Sequence, residues 1–132
     1  MISCTVLVVE HDWRMRKLVR VNLESLGMVV REAVSVEHGL TLLGQAQVDL
    51  VVLDLDLPDG EGLASLEMLD SWTGARVPIV FLSAEPPSRT HSGHRFPFGY
   101  VQKPFSVPVL LQHIQRALSQ AETGGSLPGG AS

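Results

Sequence analysis

Apolar and polar positions along the chain switch between two periods. Residues 5–9, Thr-Val-Leu-Val-Val, are a β-branched apolar run that stops at Glu10-His11-Asp12, the pattern of a strand covered on both faces. Over residues 13–26 the apolar positions Met15, Leu18, Val19, Leu23 and Leu26 step by three and four. That spacing predicts a helix, and Gly27 is placed to close it. Residues 28–33 predict a second strand. Ser35 is the expected N-cap of a helix over 36–46, with Val36, Leu40, Leu43 and Ala46 on one side.

Residues 50–53, Leu-Val-Val-Leu, are another continuous apolar run; it ends on Asp54 and breaks at Pro58, Asp59-Gly60 and Gly62. A third helix is predicted over 61–71, with Leu63, Leu66 and Leu69 inward, and a fourth strand over 78–82, ending at Ser83-Ala84. Residues 85–99 break the rhythm, with three prolines, two glycines and no apolar stripe before Phe96. A loop or one short helical turn is expected there in place of a fourth helix, with Phe96 and Phe98 covering the exposed core. Tyr100-Val101-Gln102 predicts a short fifth strand running into Lys103-Pro104-Phe105. Ser106 should then cap a last helix that tolerates Pro108 in its first turn and buries Leu110, Ile114, Ala117 and Leu118. Residues 1–120 read as one domain, and 121–132, rich in Gly, Ser and Pro, as a flexible tail or linker.

Five strand–helix alternations imply an α/β fold, a doubly wound five-stranded parallel sheet with right-handed crossovers and helices on both faces. Ligands of such sheets bind at the carboxyl ends of the strands. The residues gathered there would be Glu10, His11, Asp54, Ser83 and Lys103.

Composition narrows the function. A hydrophobic fraction of 45% with 18% charged residues suits an ordinary globular chain. The net charge of −4 argues against nucleic acid as a direct ligand, and Arg14, Arg16, Lys17 and Arg20 read as the solvated face of the first helix. No apolar segment approaches the ~20 residues needed to span a bilayer, and no signal peptide is recognisable at Met1-Ile2-Ser3-Cys4. One cysteine, Cys4, cannot form an internal disulfide, so a cytoplasmic setting is expected. Trp13 and Trp72, near helix ends, are expected to shield core. His38 and His113 read as helix-surface residues. His91 and His94 have metal-like spacing but lie on the predicted loop without partners.

A carboxylate, a hydroxyl and an ammonium on one edge suit a phosphoryl group. Asp54 would be the nucleophile forming an acyl phosphate, Ser83 a hydrogen-bond donor to a phosphoryl oxygen, and Lys103 a point cation. Further oxygens near Asp54 would hold a hard divalent ion, normally Mg²⁺. The plain alternative is that Asp54 only caps the next turn.

Three segments in this order, Leu53-Asp54-Leu55-Asp56-Leu57-Pro58 with Gly62, Phe81-Leu82-Ser83-Ala84, and Tyr100 to Phe105, make the chain resemble the response-regulator receiver domains of bacterial two-component signalling. The likeness covers residues 5–119. It implies a flavodoxin-like (βα)5 fold and a signalling module rather than an enzyme. Its phosphoryl donor would be a histidine kinase or phosphotransfer protein, and an output domain or protein partner would receive the signal. It implies Asp54 as phosphoacceptor, Ser83 and Lys103 as phosphate-binding residues and Tyr100 as an aromatic switch. Mg²⁺ would be held by Glu10, Asp54 and the backbone carbonyl of Asp56, whose side chain reads as an exposed turn residue. Receivers typically carry two adjacent acidic residues after the first strand; here the pair is Glu10-His11, so an imidazole stands at a metal-ligand position. Weak Mg²⁺ binding is therefore expected, with Asp12 the other carboxylate that could reach inward. A cationic His11 would partly replace the metal's charge.

Two other functions compete. A receiver-like module could act by protein binding without phosphorylation. Asp54-Leu55-Asp56 is also similar to the haloacid-dehalogenase phosphohydrolases, but those need a further acidic pair downstream, whereas here the acidic pair lies upstream and nothing acidic follows Lys103 until Glu122.

Overall fold

The computed structural model describes residues 4–56, 77–86 and 99–124. Five strands and three helices lie within them: β1 (Thr5–Val9), α1 (Trp13–Glu24), β2 (Val29–Ala33), α2 (Val36–Gln45), β3 (Leu50–Asp54), β4 (Ile79–Ser83), β5 (Gly99–Gln102) and α3 (Val107–Gly124). The strands form one parallel sheet in the order β2-β1-β3-β4-β5. Chain order reverses between β1 and β3, the switch point at which sheets of this kind open a ligand crevice. The third helix expected over 61–71 and the short or missing fourth helix fall outside the described residues, as do Trp72, Phe96 and Phe98.

Two apolar layers hold the sheet. Val6 and Val8 of β1, Leu50 and Val52 of β3 and Val80 and Leu82 of β4 point to one face, where Val19 and Leu23 of α1 and Leu110, Ile114 and Ala117 of α3 cover them. Leu7, Val9, Val51, Leu53, Ile79 and Phe81 point to the other face and meet Val36 and Leu40 of α2. The alternation is the period of two of a pleated strand. Because both faces are covered, β3 and β4 are buried throughout, which is why their sequences carry no polar residue before the last. At the edge, β2 is buried only at Ala33, so its Arg31 and Glu32 are tolerated.

Helix α1 corrects the sequence reading. Only the i,i+4 pair Val19 and Leu23 is buried; Trp13 is 59% exposed and Leu18 42%, and Leu26 and Val21 also face solvent. Helical spacing marks an apolar arc, but which part of the arc meets the sheet depends on how the helix is docked. Trp13 does not shield core; the Arg14 guanidinium lies over its ring, 5.5 Å from the centroid. The helix ends at Glu24, where Leu26 and Gly27 donate to the carbonyls of Leu23 and Glu24, a tightened last turn. Gly27 then takes a positive φ of +88° two residues past the Ser25 cap. On α2, Ser35 caps as expected, its hydroxyl accepting from the His38 amide. Ser106 does the same for α3, accepting from Val109. Helix α3 runs to Gly124, four residues into the stretch read as tail, where Ala121 and Glu122 favour helix. His113 is half-buried against Gly99 rather than on the open surface. Burial and the neighbouring Arg116 charge lower its pKa.

Gly39 brings α2 down onto β1: a Cβ there would lie 3.1 Å from Val9 Cγ2. Gly39→Val is expected to overpack this contact and destabilise the fold by about 1–3 kcal/mol, read as a lowered urea midpoint; an unchanged midpoint would show that the helix can lift away freely. None of the helices among the described residues is long and apolar enough to cross a membrane.

Candidate functional site

Three strand ends at the β1/β3 switch point build the site. Asp54 closes β3 and is 0% exposed. Its Oδ1 accepts from Lys103 Nζ at 2.9 Å and from the Asp56 amide at 2.8 Å. Lys103 follows β5; its own amide donates to the Ser83 carbonyl at 2.7 Å, which fixes it beside β4, and its bond to Pro104 is cis. The ammonium also lies 3.7 Å from Glu10 Oε1 and 3.6 Å from Asp56 Oδ2. Glu10 follows β1, is 1% exposed, and is held by its amide to the Ala33 carbonyl. One ammonium therefore faces three carboxylates, two of them buried.

The ionisation of the pair follows from that imbalance. Burial, a hydrogen bond shared with Asp54 and the Asp54 charge raise the Glu10 pKa from 4.5 to about 7, against the opposing pull of Lys103 and the Asp12 amide. Burial also works to raise Asp54, but hydrogen bonds from Glu10 and Lys103 and from the Asp56 amide outweigh it and hold Asp54 below the usual carboxylate range. Below about pH 7 a proton thus resides on Glu10 and the charge on Asp54. Lys103 is lowered by burial but raised more by Asp54, Glu10 and Asp56, so it stays an ammonium.

His11 sits on the rim with Nδ1 turned inward, 3.5 Å from Asp54 Oδ2 and 3.6 Å from Glu10 Oε2. Asp12 does not reach inward. Its carboxylate is exposed and accepts from the Arg14 amide, which makes it the N-cap of α1. Arg16 and Arg20 are not merely a solvated face either. Arg16 donates to the carbonyls of Glu10 and His11 at 2.9 and 3.3 Å and pairs with Glu32 at 3.1 Å, while Arg20 pairs with Glu32 and Glu24. Arg16 thereby pins the loop that carries two site residues. A helical arginine opposite an acid near the end of a neighbouring strand was the only sequence signal for this.

On the far side, Asp56 is more than an exposed turn residue. Its Oδ1 accepts from Ser83 Oγ at 3.1 Å and its Oδ2 from the Ala84 amide at 2.7 Å. The expected oxyanion donor Ser83 is therefore occupied by a carboxylate of the chain itself. Ser83 Oγ also accepts from the Glu85 amide at 3.1 Å, and the Tyr100 hydroxyl donates to the Glu85 carbonyl at 2.7 Å. Tyr100 meets Phe81 edge-on, centroids 6.3 Å apart. Asp54, Ser83, Lys103, Glu10 and His11 are thus brought together, with Tyr100 linked to them through one residue. His91 and His94 lie outside the described residues.

Glu10, His11 and Asp54 form a cluster able to hold a metal ion, with one donor atom from each lying within 4.8 Å of the others. Mg²⁺ takes oxygen ligands in near-octahedral geometry. Two carboxylates suit it; the imidazole nitrogen between them does not.

Comparison with known proteins agrees with this picture. The family model described as the response regulator receiver domain matches residues 6–115. The KDP operon transcriptional regulatory protein KdpE of Escherichia coli (strain K12) is 35% identical over 115 residues, covering 86% of this chain and 50% of its own length. The phosphate regulon transcriptional regulatory protein PhoB of Klebsiella pneumoniae is 31% identical over 116 residues, covering 86% and 51%. The chain thus spans about half the length of these relatives. Among solved structures, a CheY-like receiver domain protein from Methanospirillum hungatei JF-1 superposes with a TM-score of 0.83 at 23% identity, over 92% of this chain and 98% of its own. NtrX from Brucella abortus gives 0.82 at 25% identity, over 92% and 28%. With a matching model over most of its length and the fold to go with it, this chain belongs to the receiver domains of response regulators, the two-component signalling family.

Proposed function

We propose that the chain accepts a phosphoryl group on Asp54 from a histidine kinase or phosphotransfer protein. The observation that carries the reading is the Lys103 ammonium, 2.9 Å from a buried carboxylate that its surroundings keep ionised. An ionised Asp54 can attack phosphorus as the phosphorus–nitrogen bond of a phosphohistidine breaks, the imidazole leaving with the bonding electrons. Lys103 offsets the charge gathered on the phosphoryl oxygens. Ser83 and the Ala84 amide are the donors that would receive the group once Asp56 swings aside. Release of Ser83 from Asp56 would disturb Glu85 and with it the Tyr100 hydroxyl, which supports Tyr100 as the switch.

In this reading Mg²⁺ binds more weakly than at a site with a carboxylate at position 11, and phosphorylation is slower. Glu10, Asp54 and the Asp56 carbonyl are its oxygen ligands. The relatives are named as transcriptional regulators and are about twice as long, which supports an output acting on transcription, appended or separate.

The test is an NMR titration with beryllofluoride, a phosphoryl analogue, in the presence of divalent cation. Shifts are expected at Ala84, Glu85 and Tyr100. Their absence would defeat the phosphoacceptor reading and leave a module that binds partners without phosphate. Asp56→Asn is expected to tighten beryllofluoride binding about tenfold, because it removes a like charge from the anion's position while keeping an acceptor for Ser83. Unchanged or weaker binding would show that Asp56 does not compete for that position.

A further inference from the structure

With both carboxylates ionised, two buried oxygens in the pocket receive no hydrogen bond among the described residues: Glu10 Oε1 and Asp54 Oδ2. Both side chains are almost fully out of water, at 1% and 0% exposure. A buried carboxylate oxygen left without a donor is unfavourable unless a cation completes it. Lys103 serves the other oxygen of Asp54 and stands 3.7 Å from Glu10 Oε1, beyond hydrogen-bond reach. What faces Asp54 Oδ2 instead is His11 Nδ1, a nitrogen that can donate electrons to a metal only when it carries no proton.

The spacing of these atoms bears on which ion fits. Bonds of about 2.0–2.1 Å around a tetrahedral ion place its ligand atoms roughly 3.4 Å apart. Bonds of similar length around octahedral Mg²⁺ place neighbouring oxygens about 3 Å apart. His11 Nδ1 stands 3.5 Å from the unpartnered Asp54 Oδ2 and 3.6 Å from Glu10 Oε2, the Glu10 oxygen that also accepts from the Asp12 amide at 3.2 Å, two edges of tetrahedral length. Imidazole nitrogen with carboxylate oxygen is a donor set for borderline first-row ions and not for Mg²⁺. His11 is 44% exposed, so the ion can enter from solvent past the imidazole.

We propose that Glu10, His11 and Asp54 bind a borderline first-row dication of the Zn²⁺ type, with His11 making the selection against Mg²⁺. The remaining coordination position is open to water or to an oxyanion. The inference rests on the reading of this pocket as the phosphoacceptor site, but it can be measured without a phosphoryl donor.

The experiment is calorimetric titration of the chelator-stripped full chain with Zn²⁺ and, separately, with Mg²⁺. A His91→Gln/His94→Gln background removes two imidazoles that could capture Zn²⁺ elsewhere. His11→Ala is expected to weaken Zn²⁺ at least about tenfold while leaving Mg²⁺ unweakened, and His11→Asp to tighten Mg²⁺ by a similar factor. Bound Co²⁺ should show the intense visible absorption of a four-coordinate ion, lost in His11→Ala. Unchanged Zn²⁺ affinity in His11→Ala would overturn the proposal, and so would equal losses for both ions, since His11 would then act only on loop structure. Should the ions behave as expected while beryllofluoride gives no shifts, the metal site stands and the phosphoacceptor reading fails. The reverse pattern separates them the other way.

Discussion

Asp54→Asn is expected to abolish phosphoryl uptake while leaving the fold nearly as stable as the wild type. Under acetyl phosphate with divalent cation, intact-mass analysis should show one added phosphoryl group on the wild type and none on the variant. The amide is a poor nucleophile and carries no charge for Lys103 to orient. The small stability effect is less obvious, because removing one partner of a buried ion pair ordinarily costs about 3–5 kcal/mol when the other is left uncompensated. Here it is not left so. Glu10 Oε1 lies 3.7 Å from the same ammonium and Asp56 Oδ2 3.6 Å, and two of the causes holding Glu10 protonated, its hydrogen bond to Asp54 and the Asp54 charge, disappear with the substitution. Glu10 should then ionise in place of Asp54, its pKa falling towards the ordinary value. Carboxyl-carbon NMR of Glu10 reads this directly. A variant that still gained phosphate would move the acceptor off Asp54, and a Glu10 titration unchanged by the substitution would disprove the sharing of one proton.

The second large effect concerns Glu10→Gln in metal-free, chelator-treated buffer. The folded chain holds the Glu10 proton up to about pH 7, whereas the unfolded chain releases it near 4.5. Between those values the native state binds more protons than the unfolded state, so stability falls as pH rises through the window. The contribution is fully present below pH 4.5 and lost above pH 7. A shift of this size corresponds to on the order of 3 kcal/mol. Glutamine imitates the protonated acid at every pH and should not pay this penalty. The variant is expected to match the wild type near pH 5 and to exceed it by roughly 2–3 kcal/mol at pH 8 in urea unfolding. Equal differences at the two pH values would mean that Glu10 is charged throughout. Asp54 works in the opposite direction. Its depressed pKa adds stability above its unfolded value, lost as pH falls through the folded one, so the two carboxylates set opposite slopes in separate windows.

Much of this molecule was legible from local chemistry. The β-branched runs at 5–9 and 50–53 are strands because a sheet covered on both faces has room only for such side chains. Ser35 caps its helix for a reason contained in four residues. Asp54 and Lys103 could be named as partners although 49 positions separate them. The alternating pattern implied a parallel sheet, and parallel sheets bring all their strand ends to one edge.

Other features were beyond that reasoning. The apolar arc of α1 was visible, but its docking leaves Trp13 and Leu18 in water, and no periodicity says how a helix is rotated about its axis. Asp12 and His11 are adjacent, yet one caps a helix at the surface and the other turns into the pocket. Arg16 reads from its helix position as a solvent residue, and only the packing of β2 brings Glu32 against it.

What the sequence alone determined, then, is the order of strands and helices and the chemical kinds of group at the strand ends. These follow from side-chain shape, period and capping, all settled within a few residues. Only the tertiary structure decided that Asp56 occupies the donors of Ser83 and Ala84, and that His11 faces two carboxylates. Contacts between distant positions are chosen by how whole elements pack, and the energy of a buried charge depends on every neighbour that packing brings to it.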